Sequence, residues 1–480
     1  MIELVWFKRD LRIHDHRPLL EASLRGAPVL PLYIIEPSVQ QAPDFHPCHW
    51  TFIEASLREL SANLQALGQP LVIRTGEAVE VFQHLHQQLK IRCIWAHEET
   101  GNGLTYARDK AVAKWAKAHT VEFNETASGG VVRRLKTRDG WARRWEQRMA
   151  EPVAETPTRL MPVTLEAGRL ASPENTRPLA QPGGESAAHA ILESFLEYRG
   201  HAYHREMSSP VTAFESCSRL SPHLAYGTIS TRQVVQKTRP SKGLAMKAFD
   251  ARLHWRDHFM QKLEDEPAVE FHNFVRGFDG LRENDFNQDH FDAWRAGHTG
   301  YPMVDACMRC LAQTGWINFR MRAMLVSFAS YQLWLHWRET GLHLARLFVD
   351  YEPGIHWSQT QMQSGTTGMN TLRIYSPTKQ VLDQDPQGVF IRRWIPELRD
   401  MPDKWIATPW EQPVLMGGYP QPIVDNAEAV RQARARITEF RRHTGIWAEI
   451  KAVTKKHGSR KKGARKRPKP KDKQAKLNLE

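Results

Sequence analysis

The sequence predicts an N-terminal doubly wound parallel α/β domain followed by an all-helical C-terminal domain. Five short apolar runs in the first 130 residues alternate with amphipathic helical patterns, the rhythm of a parallel sheet with crossover helices. Helical patterns follow from about residue 187, and ten of the sixteen tryptophans lie between Trp255 and Trp447. A length of 480 residues exceeds what one hydrophobic core supports and indicates two or more domains.

Each predicted strand is a largely apolar run beside polar or turn-forming residues. The runs are IELVWF from Ile2, APVLPLYII from Ala27, PLVIRTG from Pro70, IRCIWAHE from Ile91 and VEFNE from Val121. Near-continuous apolar character is typical of strands that helices cover on both faces. Residues 1–130 contain no GxGxxG, so the sheet alone does not indicate a bound nucleotide.

A long connection is expected to separate the two domains. We assign residues 131–186 to it, since six prolines and a Gly-Gly pair lie between Glu151 and Ser186 with little periodicity. Residues 187–450 are then expected to form the helical domain.

The charge of the chain is concentrated at its end. Residues 451–480 carry thirteen Lys and Arg against two acidic residues, so they account for most of the net charge of +13. Without apolar periodicity this tail is expected to be disordered. It either strengthens salt-sensitive binding to DNA or RNA or is only a solubilising tail.

Composition excludes several classes of protein. The hydrophobic and charged fractions, 41% and 25%, are those of a globular protein, and no apolar run approaches the length of a membrane span. Five cysteines do not suggest a secreted disulfide framework, so we expect a cytoplasmic protein. We also expect it to be a monomer. Cys307 and Cys310 form a CxxC, but they continue an apolar helical stripe with Met303 and Leu311, which favours core packing over a metal or redox site. No metal site is expected.

Two segments of the helical part combine cationic and aromatic or hydroxyl side chains. Around Arg219, serines precede an amphipathic helix, a pattern that fits either a diphosphate at the helix N-terminus or a simple helix cap. In residues 299–338, Trp316 and Arg320 lie four apart and Trp334 and Trp337 three apart. We expect each pair to share a helix face that could hold a flat anionic ligand.

The motifs TGYPMVDACMR, TGW, RMR and HWRE in this segment resemble the flavin-binding core of the DNA photolyase and cryptochrome family. WFKRDLRIHDHRPLLEA and HEETGNGLTYARDKAVAKWA resemble its antenna domain, and the resemblance covers essentially residues 1–410. It implies FAD as the cofactor, a second light-harvesting chromophore of unspecified identity, and damaged DNA, single- or double-stranded, as the partner.

The resemblance also implies the residues that bind FAD. They comprise a diphosphate group, a Trp-Arg pair beside the pocket, and residues around the ring, with His356 facing flavin N5: Tyr203, Cys217, Ser218, Arg219, Leu220, Ser221, Trp255, Arg256, Arg322, Asp350, Tyr351, Glu352 and His356. For electron transfer it implies Trp337 as the middle of a tryptophan relay and Trp357 as its flavin-proximal member, to which we add Trp316. The outermost position falls near Asn284, so that end of the relay is missing.

The predicted DNA-facing cavity differs from the family pattern. Arg252 replaces the glutamate with which dimer photolyases hydrogen-bond the lesion, Phe319 replaces an asparagine and Ala323 a methionine, and the paired histidines of (6-4) photolyases are absent. Arg252, Trp255, Phe319 and Arg320 are nevertheless expected to contact DNA, because an aromatic ring can stack on an extruded base and arginines bind phosphate.

Three functions follow as expectations. The leading one is light-dependent repair of pyrimidine dimers by photoinduced electron transfer from FAD. The alternative is a cryptochrome-type blue-light photoreceptor with little or no repair activity. The third is a nucleic-acid-binding flavoprotein whose response to light is incidental.

Overall fold

A computed structural model describes residues 1–171, 177–369 and 371–458. Its N-terminal part contains a five-stranded parallel sheet with the strand order β3-β2-β1-β4-β5. The strands are β1 (Ile2–Phe7), β2 (Val29–Ile35), β3 (Val72–Thr75), β4 (Ile91–His97) and β5 (Glu122–Thr126). All five predicted runs form these strands, and the doubly wound fold is confirmed.

Strand β1 lies at the centre of the sheet, between β2 and β4. Its side chains alternate between two cores: Val5 and Phe7 pack on one face, and Leu4 and Trp6 on the other. Two buried faces explain why the sequence of this strand is almost wholly apolar. The strand order changes direction between β1 and β4, and the crevice at their carboxyl ends is where such sheets bind ligands.

Six helices accompany the sheet and the segment after it. They are α1 (Arg17–Ser23), α2 (Pro37–Gln40), α3 (Pro47–Ala66), α4 (Ala78–Leu89), α5 (Gly103–Ala118) and α6 (Trp141–Ala150).

Fifteen α-helices form the remainder of the described chain. They are α7 (Glu185–Glu197), α8 (Tyr203–Glu206), α9 (Ala213–Ser216), α10 (Ser221–Ala225), α11 (Thr231–Thr238), α12 (Leu244–Asp265), α13 (Gln288–Ala296), α14 (Pro302–Thr314), α15 (Phe319–Ser327), α16 (Trp337–Leu347), α17 (Pro353–Ser364), α18 (Pro377–Gln384), α19 (Val389–Trp394), α20 (Asn426–Thr444) and α21 (Trp447–His457). A π-helical turn, Phe328–Gln332, continues α15. Cys307 and Cys310 lie buried on α14 as free thiols, where the apolar stripe placed them.

The expected connection differs from a loose linker. Helix α6 falls inside residues 131–186, and its Trp141 and Trp145 pack with Leu192 and Phe249 of the helical part. The following segment returns to the α/β domain, where Leu160 donates its backbone N–H to the Leu67 carbonyl at 2.7 Å. A count of prolines cannot reveal backbone pairing of this kind, which explains why the sequence suggested a loose linker.

The C-terminal end is more ordered than the sequence suggested. Helix α21 runs to His457, so the first seven residues of the expected tail are helical, and residues 459–480 lie outside the described residues. Within the described ranges, no helix is both long and apolar enough to cross a membrane.

Candidate functional site

Arg322 of α15 forms a two-pronged ion pair with Asp350, which follows α16. The two nitrogen-oxygen distances are 2.9 and 2.8 Å, and the Arg322 Nε donates to the Ile317 carbonyl at 2.8 Å. The guanidinium also lies 4.1 Å from the centre of the Phe348 ring. We call Arg322 and Asp350 the paired site. Its geometry is that of a strong bidentate pair, and it brings together two residues expected near the flavin ring.

Arg219 has a different environment. Its guanidinium lies 4.0 Å from the centre of the Trp316 ring and 4.8 Å from that of Phe214. The Arg219 Nε donates only a long hydrogen bond, 3.4 Å, to Gln181 Oε1, and no carboxylate of the described chain lies within 4 Å of this guanidinium. We call Arg219, Trp316 and Phe214 the stacked site. A cation held by aromatic faces keeps most of its N–H groups for another partner.

Burial of the stacked site has an electrostatic consequence. Desolvation lowers the pKa of Arg219 to about 10, while the charge of Asp350 acts in the opposite direction and that of Arg322 adds to the lowering. Arg219 also has a positive φ of 61° in the loop before α10. A non-glycine residue in this conformation is uncommon and recurs at binding sites.

The predicted shared helix faces in residues 299–338 are wrong. Trp316 precedes α15, and Trp334 lies between the π-helical turn and α16 with a positive φ of 54°. Trp334 packs with the core around Val275 and Phe278, whereas Trp337 packs in a separate cluster with Trp357. The chain turns at TGW and at LWLH, and spacing arguments hold only within one helix.

The residues around Arg219 are close together, as predicted. Ser221 begins the five-residue helix α10 and accepts a hydrogen bond from Trp316 Nε1 at 3.2 Å. Ser218 Oγ lies 3.4 Å from the Leu220 N–H, a local turn contact. Burial raises the pKa of Cys217 to about 12, so its thiol is neutral at physiological pH. The backbone N–H groups of this loop can be offered to an anion, but α10 is too short to add a substantial dipole.

Trp337 and Trp357 lie side by side in the interior. Their ring centres are 5.9 Å apart, and both side chains are fully buried. Trp337 Nε1 donates to Asn273 Oδ1 at 2.8 Å, whereas Trp357 Nε1 is buried without a partner in the described chain. Trp316 makes no ring contact with either among the described residues, so the structure does not place it in this pair.

His356 connects the tryptophan pair to the loop after α16. Its ring centre lies 4.9 Å from that of Trp357 and 5.2 Å from that of Tyr351. Burial lowers the pKa of His356 to about 4, so the ring is neutral, and its Nε2 donates to the Gly341 carbonyl at 2.8 Å. Its Nδ1 is left as an acceptor. Tyr351 extends towards the α/β domain, where its hydroxyl donates to Asp44 at 2.7 Å.

Arg256 and Glu352 lie at the junction of the two parts of the chain. Glu352 is 3.5 Å from Arg256 and 3.6 Å from Arg9, which follows β1. Arg9 also donates to the carbonyls of Ala225 and Tyr351, both at 2.8 Å. Burial raises the pKa of Glu352, and its Oε1 has no hydrogen-bond partner in the described chain. Through these contacts Arg9 joins the carboxyl end of β1 to the helical part, a role that its sequence context did not indicate.

The four residues expected to contact DNA lie on α12 and α15. Phe319 is 48% exposed, and the Arg252 guanidinium lies 5.8 Å from the centre of its ring. Arg320 has a buried Nε without a partner among the described residues. Trp255 is partly buried and stacks on Phe259, with ring centres 5.7 Å apart. We call Arg252, Phe319 and Arg320 the rim; an exposed ring flanked by cations suits a nucleic-acid base and its phosphate.

These features fit a flavin nucleotide. The stacked site offers a partly buried cation without a carboxylate, as a diphosphate needs, and the paired site offers a fixed cation for the electron-rich edge of a flavin ring. Buried polar atoms without partners, Trp357 Nε1 and Asn318 Oδ1 among them, lie in the same part of the molecule. Buried polar groups normally have hydrogen-bond partners, so these atoms indicate the binding of a ligand that carries polar groups.

Several residues of the site were not predicted. They are Gln181 and Phe214 at the stacked site, Asn273 beside Trp337, Arg9 at the junction and Asp44 against Tyr351. Each contacts a predicted residue that is distant in sequence, Phe214 through the ring of Trp316. No local motif marks such residues.

Comparison with known proteins agrees with this geometry. The family model described as the FAD binding domain of DNA photolyase matches residues 249–439, and the DNA photolyase model matches residues 3–157. The deoxyribodipyrimidine photo-lyase of Streptomyces griseus is 33% identical, with 91% of this chain and 99% of the relative covered. That of Escherichia coli K12 is 30% identical, covering 92% and 99%, and cryptochrome DASH of Gloeobacter violaceus is 28% identical, covering 88% and 93%.

Solved structures share the whole architecture. A bacterial class III photolyase from Agrobacterium tumefaciens has a TM-score of 0.82 at 27% identity, covering 92% of this chain and 98% of its own. An archaeal photolyase from Sulfolobus tokodaii, solved with two FAD molecules, has a TM-score of 0.80 at 27% identity, covering 92% and 100%. With both domains matched along nearly their full length, this chain belongs to the DNA photolyase and cryptochrome family.

Proposed function

We propose that this protein is a light-dependent FAD enzyme that binds damaged DNA and repairs pyrimidine dimers by photoinduced electron transfer. The observation that carries the proposal is the buried Trp337–Trp357 pair, 5.9 Å between ring centres, which is connected to the paired site through the rings of His356 and Phe348. Bound FAD supplies the absorption of blue light and the transferable electron.

The side chains divide the work of holding the cofactor. Arg219 neutralises the diphosphate, and Arg322, fixed by Asp350, keeps a positive charge beside the ring. Because His356 is neutral and donates through Nε2, it presents an uncharged Nδ1 acceptor. Trp357 and Trp337 exclude water and offer indole rings in van der Waals reach of one another, the separation that electron tunnelling requires.

The rim is proposed to receive the damaged bases. Phe319 offers an exposed face on which an extruded base can stack, and Arg252 and Arg320 can bind flanking phosphates. We propose that the protein acts as a monomer, because the rim is formed by one chain. We also propose that it accepts damage in single-stranded as well as duplex DNA, because stacking on the exposed Phe319 ring does not depend on base sequence.

A second chromophore is proposed in the N-terminal cavity. Tyr33, Glu36, Asp44, Arg108 and Tyr351 line it at the carboxyl ends of β1 and β2, and Glu36 has a buried Oε2 without a partner in the described chain. The two FAD molecules of the Sulfolobus tokodaii photolyase support a light-harvesting ligand in a protein of this fold.

The alternative is a cryptochrome-type photoreceptor with little or no repair activity. Arg252 favours it, because a cation stands where the family's dimer photolyases place the glutamate that contacts the lesion, and cryptochromes DASH are among the relatives. A guanidinium can donate to thymine carbonyls but cannot accept from the thymine N–H.

One experiment separates these functions. The purified protein should show flavin absorbance and release FAD on denaturation. A colourless protein would exclude both the repair enzyme and the photoreceptor. The reduced protein is then illuminated with dimer-containing single-stranded and duplex DNA, and restored thymines are measured by chromatography. Repair of either substrate supports the enzyme, whereas no repair with photoreduction intact favours the photoreceptor.

A further inference from the structure

A cluster of metal-ligating side chains lies outside the flavin region. His14, from the connection between β1 and α1, meets Glu185 and His189 at the start of α7. One potential ligand atom from each residue lies within 4.8 Å of the others. We propose that these three residues bind a divalent transition-metal ion of the kind represented by Zn²⁺. Two imidazoles and one carboxylate are a ligand set that such ions favour.

The observed distances suit a shared ion. His14 Nδ1 lies 2.9 Å from a Glu185 carboxylate oxygen. Two ligands bound to one ion at roughly 2.0–2.2 Å, with an angle between them of roughly 90–110°, stand roughly 2.9–3.5 Å apart. One potential ligand atom of His189 lies within 4.8 Å of the other two, and because this side chain is only partly buried, its rotation can bring a ring nitrogen into range.

The protein already orients the carboxylate. Glu185 is buried, and its two oxygens accept backbone N–H groups from Ile13 at 3.0 Å and His14 at 3.2 Å. Hydrogen bonds to a ligating carboxylate fix its direction and recur around metal sites. His189 lies one helical turn after Glu185, on the same face of α7. Its ring makes no hydrogen bond in the described part of the chain, so its lone pair is free.

A second triad in the molecule shows what a closed arrangement looks like. Asp10, His16 and His97 are also close together, but all three are buried. Asp10 accepts from both rings and from the Lys8 N–H, and His16 Nδ1 accepts from the Leu19 N–H. Its contacts are those of a hydrogen-bonded core network. The His14 cluster differs because His14 is largely exposed, which leaves room for water on the remaining coordination positions.

A bound ion would join the two parts of the chain. His14 belongs to the α/β domain, and Glu185 and His189 belong to the first helix after the long connection. Glu185 already links them through two backbone N–H groups. Metal binding adds a coordinate link at the same place, so the ion should raise the stability of the folded protein with the logarithm of its free concentration above the dissociation constant.

The test uses the full-length, tag-free flavoprotein stripped with chelator. Zn²⁺ is titrated in competition with a chromophoric chelator that absorbs away from the flavin. We expect one site per chain, weakened at least about a hundredfold in His189→Ala, because even the loss of a ligand's hydrogen-bond partner costs about 10–100-fold. His84→Ala, which removes an exposed histidine on α4, should leave binding unchanged.

Two readouts decide the matter. The thermal unfolding midpoint should rise with Zn²⁺ in the unmodified protein and in His84→Ala but not in His189→Ala, with flavin content equal in all three. Equal flavin content shows that the variants fold. A single site that survives in His189→Ala, or no zinc binding by the unmodified protein, overturns the proposal.

Discussion

The paired site and the stacked site hold similar guanidinium groups in opposite ways. Arg322 has a carboxylate at 2.8 Å, whereas Arg219 has two aromatic rings and a glutamine. A paired arginine is explained by the fold itself, since its charge and that of Asp350 cancel. An arginine held only by ring faces is not, and its environment becomes complete when an anion arrives. Loss of Arg322 should therefore lower the stability of the protein, whereas loss of Arg219 should mainly weaken ligand binding.

The largest effect is expected from Arg322→Ala. It leaves the buried carboxylate of Asp350 unpaired, which should lower the free energy of unfolding by about 3 kcal/mol. Denaturant unfolding of the flavin-free protein measures this, with the exposed Arg399→Ala as the control. Equal stabilities of the two variants would make the paired site a ligand site like the stacked one.

Acid should weaken the interior around the paired site. His356 has a folded pKa of about 4, below the value of about 6.5 in unfolded chains, so the unfolded state binds more protons between these values. The stabilisation is complete above pH 6.5 and declines by about 1.4 kcal/mol per pH unit as the pH falls towards 4. Unfolding midpoints at pH 7, 6 and 5 should show this decline, and His356→Asn should reduce it. A slope unchanged by the substitution would contradict the assignment.

Arg219→Ala tests the stacked site directly. Without its cation, FAD retention should fall at least about tenfold, because a charge-assisted contact contributes about 1.5–3 kcal/mol. The flavin-free protein should unfold within about 0.5 kcal/mol of the original, as expected for a change that breaks no ion pair. The ratio of absorbance at flavin and protein wavelengths measures retention, and normal retention would remove Arg219 from the site.

Trp337→Phe should slow photoreduction while the flavin stays bound. The substitution retains an aromatic ring but removes the more easily oxidised indole and its hydrogen bond to Asn273. Bleaching of oxidised flavin under blue light with an external reductant gives the rate. Trp447→Phe, at a position 63% exposed on α21, is the control. Photoreduction at the original rate would mean that electrons enter by another route.

The smallest effect should come from removing residues 459–480, which leaves α21 complete. These residues carry ten Lys and Arg, so DNA binding should lose part of its salt dependence while flavin content stays the same. The slope of log K against log salt, measured with undamaged duplex DNA, reports the change. An unchanged slope would assign DNA binding to the rim alone.

The sequence predicted the sheet well because buried strands leave a local record. All five runs became strands, and those of β1, β2 and β4 are buried over nearly their whole length. The family motifs predicted Arg219 of the stacked site and both residues of the paired site, and Arg322 does contact Asp350. Local patterns could not show that the chain turns before Trp337, or that Glu352 faces Arg9 from another domain. Nor could they reveal the His14 cluster, in which His14 and Glu185 lie 171 residues apart in sequence.

Tyr351 donates to Asp44, and Arg9 donates to two carbonyls of the helical part, so the two domains are hydrogen-bonded to each other at several points. Excitation energy passes between pigments at a rate that depends on the angle between their transition dipoles. The mutual orientation of a pigment in the N-terminal cavity and the flavin would therefore depend on these hydrogen bonds, together with those that Glu185 accepts from Ile13 and His14. Weakening these hydrogen bonds would lower the efficiency of energy transfer without changing either chromophore.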